Sequence, residues 1–239
     1  MATDFSDQVI AVTGAAGGIG QAICRRLADD GATVYALDTH AGVHGIPVEI
    51  DVTSAESLGA ARDRVLAEAG KVDGVVAAAG IVEDDVAAEQ MSAGQFRAVI
   101  EVNLVGVFLT CQAFGQPMLR AGSGSVVAIS SMSGNHVVNT PQDQCAYNAS
   151  KAGVSALVRS LAAEWGPRGV RVNAIAPGYV DTPLLAAKKH QFAQWLQATP
   201  AGRMARPEEV AATAAFLLGD ESAFYCGSEL LMDGGYSLR

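Results

Sequence analysis

Tyr147 and Lys151 stand four residues apart in CAYNASKAG, residues 145–153 of a 239-residue chain, and Ser131 precedes them in ISSMSG. A phenol with an ordinary pKa near 10 is a poor base at neutral pH. An ammonium one helical turn away, with the positive end of a helix dipole nearby, favours the phenolate. Positions i and i+4 share one helix face, so a helical segment here would meet that need. Taken alone, such a pair describes an ordinary exposed helix, and Ser131 an ordinary loop residue. The rest of the chain decides between the two.

The stretch TGAAGGIG, Thr13 to Gly20, lies between the apolar run VIAVT and a helical pattern. A tight glycine turn at that place lets the backbone approach a pyrophosphate, whose charge meets the free N–H groups of the helix N-terminus. Gly14, Gly18 and Gly20 would supply the turn. The next apolar run, TVYALD, ends in Asp38, 18 residues after Gly20, where a dinucleotide fold places an acid on the adenosine ribose hydroxyls. That carboxylate opposes a 2′-phosphate, and no Arg or Lys occurs in the glycine turn or from Thr39 to Pro47. NAD is therefore expected over NADP. Asp51 and Val52, after the third run, fall near the adenine by the same geometry.

These groups need a scaffold. Apolar runs begin at Val9, Thr33, Pro47, Gly74, Ser125, Val170 and Glu229, and continuous apolar runs suit strands buried on both faces of a parallel sheet. Helical patterns lie between them: Gly20 to Asp29, with Ile23 and Leu27 one turn apart; Ser54 to Ala69, with Ser54 as N-cap; Phe96 to Leu119; and Ala146 to Trp165. Alternating strand and helix predicts an α/β fold, a doubly wound parallel sheet of about seven strands flanked by helices. The 26 glycines are spread along the chain with no linker-like run, so residues 1–239 read as one domain.

Half the residues are hydrophobic and the formal net charge is −9. That acidity argues against a nucleic-acid or anionic-membrane surface. No uninterrupted apolar stretch of about 18 to 20 residues occurs, and MATDFSDQ lacks the pattern of a secretory leader, so a cytoplasmic protein is expected. Cys24, Cys111, Cys145 and Cys226 lie far apart, the four histidines are scattered, and neither H-E-x-x-H nor G-x-S-x-G is present. No metal site and no serine-hydrolase elbow are expected.

With TGAAGGIG, AAAG (Ala77 to Gly80), N-x-x-G (Asn103 to Gly106), ISS ending at Ser131, YNASK and PGYVDTP (Pro177 to Pro183) in order, the chain resembles the short-chain dehydrogenase/reductase family over essentially its whole length. The resemblance implies a Rossmann-type fold and a catalytic set of Asn103, Ser131, Tyr147 and Lys151. Tyr147 would exchange the proton of the substrate hydroxyl and Ser131 would hydrogen-bond the same oxygen. Lys151 would also bind the nicotinamide ribose, and Asn103 would hold a water linking Lys151 to solvent. Cofactor contacts are implied for Gly14, Gly18, Ile19, Gly20, Asp38, Asp51, Val52, Ala79, Gly80, Pro177, Gly178, Val180 and Thr182. Two features depart from the family pattern. Ala78 stands where an amide side chain is usual, and Tyr147 follows Ser131 at an interval of 16 residues, longer than is common.

That longer interval, MSGNHVVNTPQDQCA, is similar to the version in some sugar, polyol and secondary-alcohol dehydrogenases. Its polar residues His136, Asn139, Gln142 and Gln144 suit hydroxyls. With Val138, Tyr179, Leu184 and Trp195, His136 and Gln142 make up the expected substrate contacts. Residues 184–200 would form a mobile lid whose apolar side is Leu184, Leu185, Phe192 and Trp195. The substrate expected is a small, partly polar alcohol or ketone. A reductase of 3-oxoacyl thioesters is the enzyme alternative, disfavoured by Asp38 and the few cations. A non-catalytic dinucleotide sensor is the alternative of another class, disfavoured by the presence of both Tyr147 and Lys151. The resemblance also implies a homotetramer, and the apolar residues on more than one side of the two long helices fit it.

Overall fold

The computed structural model describes residues 4–40, 42, 44–83, 85–138 and 141–239. Asn139, among the expected substrate-facing residues, lies outside them.

A seven-stranded sheet carries the molecule: β1 (Val9–Thr13), β2 (Thr33–Asp38), β3 (Ile46–Glu49), β4 (Gly74–Ala77), β5 (Gly124–Ile129), β6 (Val170–Pro177) and β7 (Glu229–Met232). The spatial order is β3-β2-β1-β4-β5-β6-β7 and every pairing is parallel. The order reverses between β1 and β4, which opens a crevice at the carboxyl ends of those strands.

The apolar runs are continuous because both sheet faces are covered. In β1, Val9 and Ala11 face one core with α2 (Ala55–Ala69), α4 (Gly106–Ala121) and α6 (Cys145–Trp165). Ile10 and Val12 face the other, with α1 (Gly18–Asp29) and α8 (Pro207–Leu218). A period of two thus serves two apolar layers at once. A smaller cluster of Met132, Tyr179 and Trp195, joined by Leu185 and Phe192, sits over the carboxyl end.

The helix expected from Phe96 to Leu119 is longer and is interrupted. It runs as α3 (Ala93–Ile100), a π-helical turn (Glu101–Val105) and α4. Ser92 starts it with a capping box closed by Gln95. By length and composition this 29-residue span would cross a membrane, but its Val107, Cys111, Phe114 and Met118 are buried against the sheet. Helix α2 has the expected N-cap, the Ser54 hydroxyl accepting from Ser57 N–H.

Candidate active site

The glycine turn is held by contact as much as by conformation. Gly14 has φ +69°, and a Cβ on it would stand 2.6 Å from Ala79 N. A Cβ on Gly20 would stand 2.0 Å from the Gly14 carbonyl oxygen, so the turn closes on itself only with glycine there. Gly18 abuts Thr182, whose Cγ2 would lie 2.9 Å from a Cβ at that position. The first glycine-rich turn and the loop after β6 therefore meet.

Asp38, ending β2, points back to this turn: its Oδ2 accepts from Ala16 N–H at 3.0 Å and its Oδ1 from His40 N–H at 3.2 Å. Gly14, Ala16, Gly17, Asp38, Thr39, Asp51, Val52, Ala79 and Gly80 line one crevice. Asp51 Oδ1 accepts from Thr53 N–H and hydroxyl, which holds its carboxyl below the usual range. A second crevice adjoins the first, since Ala78, Gly80 and Ile81 line both. Ile19, Ser131, Gln142, Gln144, Tyr147, Lys151, Pro177, Gly178, Tyr179, Val180, Thr182 and Leu184 line the second.

The side chains expected to react come together from separate elements. Ser131 caps the short helix α5 (Met132–Asn135), its Oγ accepting from Ser133 N–H. Tyr147 and Lys151 lie on the first turns of α6, with Lys151 Nζ 5.7 Å from the centre of the Tyr147 ring. Lys151 is 4% exposed and donates to the Ile129 carbonyl at 2.8 Å. Burial, uncompensated by any ion pair among the described residues, pulls its ammonium down to about 8.

The phenol behaves differently from the sequence-based expectation. Tyr147 is pushed above its ordinary value, chiefly by burial; the Ser131 hydroxyl draws it back and the Glu83 carboxylate adds to the rise. Desolvation of the anion thus outweighs what the Ser131 hydroxyl offers. Glu83 was not foreseen. Its Oε1 accepts from Tyr147 N–H at 3.0 Å, capping α6 from a distant loop where the N-cap residue Gln144 gives no side-chain bond.

Asn103 occupies the π-helical turn, a feature common at functional sites. Its Oδ1 accepts from Ile81 N–H at 2.8 Å, and its two amide hydrogens go to the Ile81 carbonyl and Ser150 Oγ. The side chain therefore ties the loop after β4 to α6, and only Oδ1 has capacity left for a water. A Cβ on Gly80 would sit 3.3 Å from Asn103 Oδ1 and 3.5 Å from Lys151 Nζ, so the three residues converge.

Of the expected substrate contacts, Gln142, Tyr179 and Leu184 line the second crevice. Three do not. His136 turns to Glu229 of β7, with Nε2 2.9 Å from Oε1; the nearby carboxylate captures the imidazole. Val138 is 82% exposed. Trp195 is fully buried behind Tyr179, stacked on it with ring centres 4.1 Å apart. The lid region forms a 3₁₀ segment (Pro183–Gln191) and α7 (Phe192–Ala198). It is fastened to the loop after β4 by Asp85, which accepts from Lys188 Nζ at 2.8 Å and Gln191 Nε2 at 2.9 Å. Residues missed by the sequence reading, Ala16, Gly17, Thr39, Ile81 and Val82, are direct neighbours of motif residues and carried no chemical signal of their own.

Residues 14–237 match the family profile described as Enoyl-(Acyl carrier protein) reductase. The chain is 41% identical to cis-4-hydroxycyclohexanecarboxylate dehydrogenase of Sinomonas cyclohexanicum, over 99% of each chain. It is also 41% identical to galactitol 2-dehydrogenase (L-tagatose-forming) of Cereibacter sphaeroides, over 95% of this chain and 94% of that one. Among solved structures it is similar to a short-chain type dehydrogenase/reductase from Mycobacterium marinum, with a TM-score of 0.95, 34% identity, and 99% and 98% of the two chains covered.

Proposed function

The chain belongs to the short-chain dehydrogenase/reductase family, and from that membership we propose that it interconverts a small polyhydroxylated secondary alcohol and its ketone with NAD. It is an oxidoreductase acting on CH–OH groups. The observation that carries the reading is the convergence of Ser131, Tyr147 and Lys151 on a crevice continuous with the one that the glycine turn and Asp38 line.

A dinucleotide fits the first crevice. A Cβ on Gly14 or Gly20 would collide with the backbone of the loop after β4 or of the turn itself, so glycine there lets the turn fold tightly at the N-terminus of α1, whose free N–H groups suit a pyrophosphate. The cofactor, when bound, supplies the hydride donor or acceptor. This chain's own residues do the rest. Ser131 Oγ orients the substrate oxygen, Tyr147 Oη takes or gives its proton, and Lys151 Nζ, with one donor spent on Ile129, has two left for the nicotinamide ribose and the phenolate. Asn103 holds Ile81 and α6 in register and offers Oδ1 to a water. Gly18, Ile19, Pro177, Gly178, Val180 and Thr182 would enclose the nicotinamide end.

Asp38 carries the proposed preference for NAD, since its carboxylate would oppose a 2′-phosphate, and among the described residues its ion-pair partner is the His40 ring, 3.9 Å away. Asp38→Ser is expected to lower the ratio of kcat/KM for NAD over NADP by roughly two orders of magnitude. An unchanged ratio would remove Asp38 from this role.

The substrate class rests on Gln142 and Gln144, both buried and lining the second crevice. Tyr179 Oη donates to Gln142 Oε1 at 3.0 Å, which fixes the amide so that Nε2 is a donor for a hydroxyl. Gln142→Leu is expected to raise KM for polyols about tenfold while leaving an unsubstituted cyclic secondary alcohol unaffected. The overall reading is tested by following reduced-cofactor absorbance with polyols, simple secondary alcohols, hydroxysteroids and 3-hydroxyacyl thioesters. Turnover confined to the thioesters would instead support the acyl reductase.

A tetramer is the assembly we infer. Phe96 and Phe108 are exposed on the long interrupted helix, and Phe224, Leu231 and Leu238 near the edge strand β7. All four cysteines are free thiols, which fits a reducing, cytoplasmic setting.

A further inference from the structure

Glu229 on the edge strand β7 is an acid in an otherwise apolar run, ELLM. Its two oxygens reach two different elements of the site. Oε1 meets His136 Nε2 at 2.9 Å, just past the end of α5, the helix that Ser131 caps. Oε2 accepts from the Ser155 hydroxyl on α6, one turn beyond Lys151.

The bonds continue inward. Ser155 Oγ is 2.8 Å from Ser130 Oγ, and both hydroxyls stand 3.1 Å from the Lys151 carbonyl oxygen. The two hydroxyls have two hydrogens between them. A carboxylate only accepts, so Ser155 gives its hydrogen to Glu229, and the Ser130 hydrogen is left to the Lys151 carbonyl at 3.1 Å and the Ser155 oxygen at 2.8 Å. Without the carboxylate, Ser155 would turn to that carbonyl, its own i−4 acceptor, and displace Ser130. Lys151 is therefore held at both ends by one dipeptide: its Nζ by the Ile129 carbonyl and its own carbonyl by Ser130. Close packing leaves little slack, since a Cβ on Gly134 of α5 would stand 2.9 Å from the Lys151 carbonyl carbon.

We propose that Glu229 is a positioning residue that brackets α5 and α6, setting Ser131 against Tyr147 and Lys151 through His136 on one side and Ser155 and Ser130 on the other. It touches neither substrate nor cofactor. The inference rests on the assignment of Ser131, Tyr147 and Lys151 to the reacting centre, and it fails separately from that assignment, which Tyr147→Phe tests.

The experiment compares Glu229→Leu, Glu229→Gln, Ser155→Ala, His136→Leu and the Ser155→Ala/His136→Leu double variant in the full chain. It measures kcat, KM for NAD, and thermal unfolding without cofactor. Glu229→Leu is expected to lower kcat about tenfold or more with KM for NAD within about twofold, as a displaced reactive group does. Glu229→Gln keeps an acceptor for Ser155 and an amide group that can pair with the His136 ring, and should retain at least about a third of kcat. A kcat for Glu229→Leu within about twofold of the parent overturns the proposal. So does a loss confined to KM for NAD, or Glu229→Gln falling as low as the Leu variant. Should Glu229→Leu not fold, the double variant decides. Cutting either arm releases the bracket, so its kcat should match that of the weaker single variant, and losses that multiply overturn the proposal.

Discussion

Tyr147→Phe is expected to lower kcat by about a thousandfold while the affinity for NAD stays within about threefold, by titration of the cofactor. The substitution removes one oxygen and leaves the ring, its contact with Lys151 and the α6 backbone in place. Glu83 continues to accept from the backbone N–H at residue 147. What disappears is one of two phenols that line the second crevice among the described residues; the other, Tyr179, donates its hydroxyl to Gln142. Retained turnover with normal NAD binding would remove Tyr147 from the reaction. The raised Tyr147 pKa also sets a direction with pH. At neutral pH the phenol holds its proton, so alcohol oxidation, which needs a proton acceptor, should speed up as pH rises above neutrality. Ketone reduction, which needs the donor, should not.

Lys151→Met is expected to lower kcat by roughly two to three orders of magnitude and to change how stability depends on pH. The stability effect follows from the buried Lys151 ammonium, which has no ion pair among the described residues and is displaced from 10.5 to about 8. Below pH 8 both folded and unfolded chains carry the proton, and the folded state bears the full penalty of about 3 kcal/mol. Above pH 8 the folded state has released the proton and the unfolded chain still holds it. The unfolded state then binds more protons, and stability rises with pH until the unfolded lysine titrates. Cys24 and Cys111, both pushed up to about 12 by burial, act in the opposite sense above their ordinary 9. The difference between parent and Lys151→Met cancels the cysteines. In denaturant titrations of the cofactor-free protein, that difference should favour Lys151→Met at pH 7 and shrink steadily between pH 8 and 10. A difference independent of pH would show that Lys151 is not a desolvated cation.

Much of the site was legible because its residues sit where backbone geometry makes the rule. The glycine turn follows a strand and opens a helix, and only glycine tolerates the approach of Gly20 to the Gly14 carbonyl. Asp38 ends the strand beside it, and Tyr147 and Lys151 share a face because four residues make about one helical turn. The pattern of buried strands was equally plain, since a parallel sheet covered on both faces asks for unbroken apolar runs.

The substrate side was read less well, and the misreadings have one cause. His136 looked like a hydroxyl ligand from a polar loop, yet a carboxylate 93 residues later in the chain takes its imidazole. Trp195 looked like a lid residue facing the pocket, yet stacking on Tyr179 buries it behind that pocket. Glu83, invisible as a motif, caps the helix of Tyr147 and adds to the rise that burial gives the phenol's pKa. The π-helical turn at Asn103 interrupts what reads as a continuous amphipathic helix.

From its sequence alone this chain reads as a doubly wound α/β oxidoreductase with a candidate reacting set, because those features depend on periodicity and on spacing within single elements. The tertiary structure decided which polar side chains line the second crevice, how burial shifts the phenol and ammonium, and which bonds join α5 to α6. Each of those depends on desolvation and on partners from remote strands and loops. Burial is a property of the assembled fold, and local spacing cannot report it.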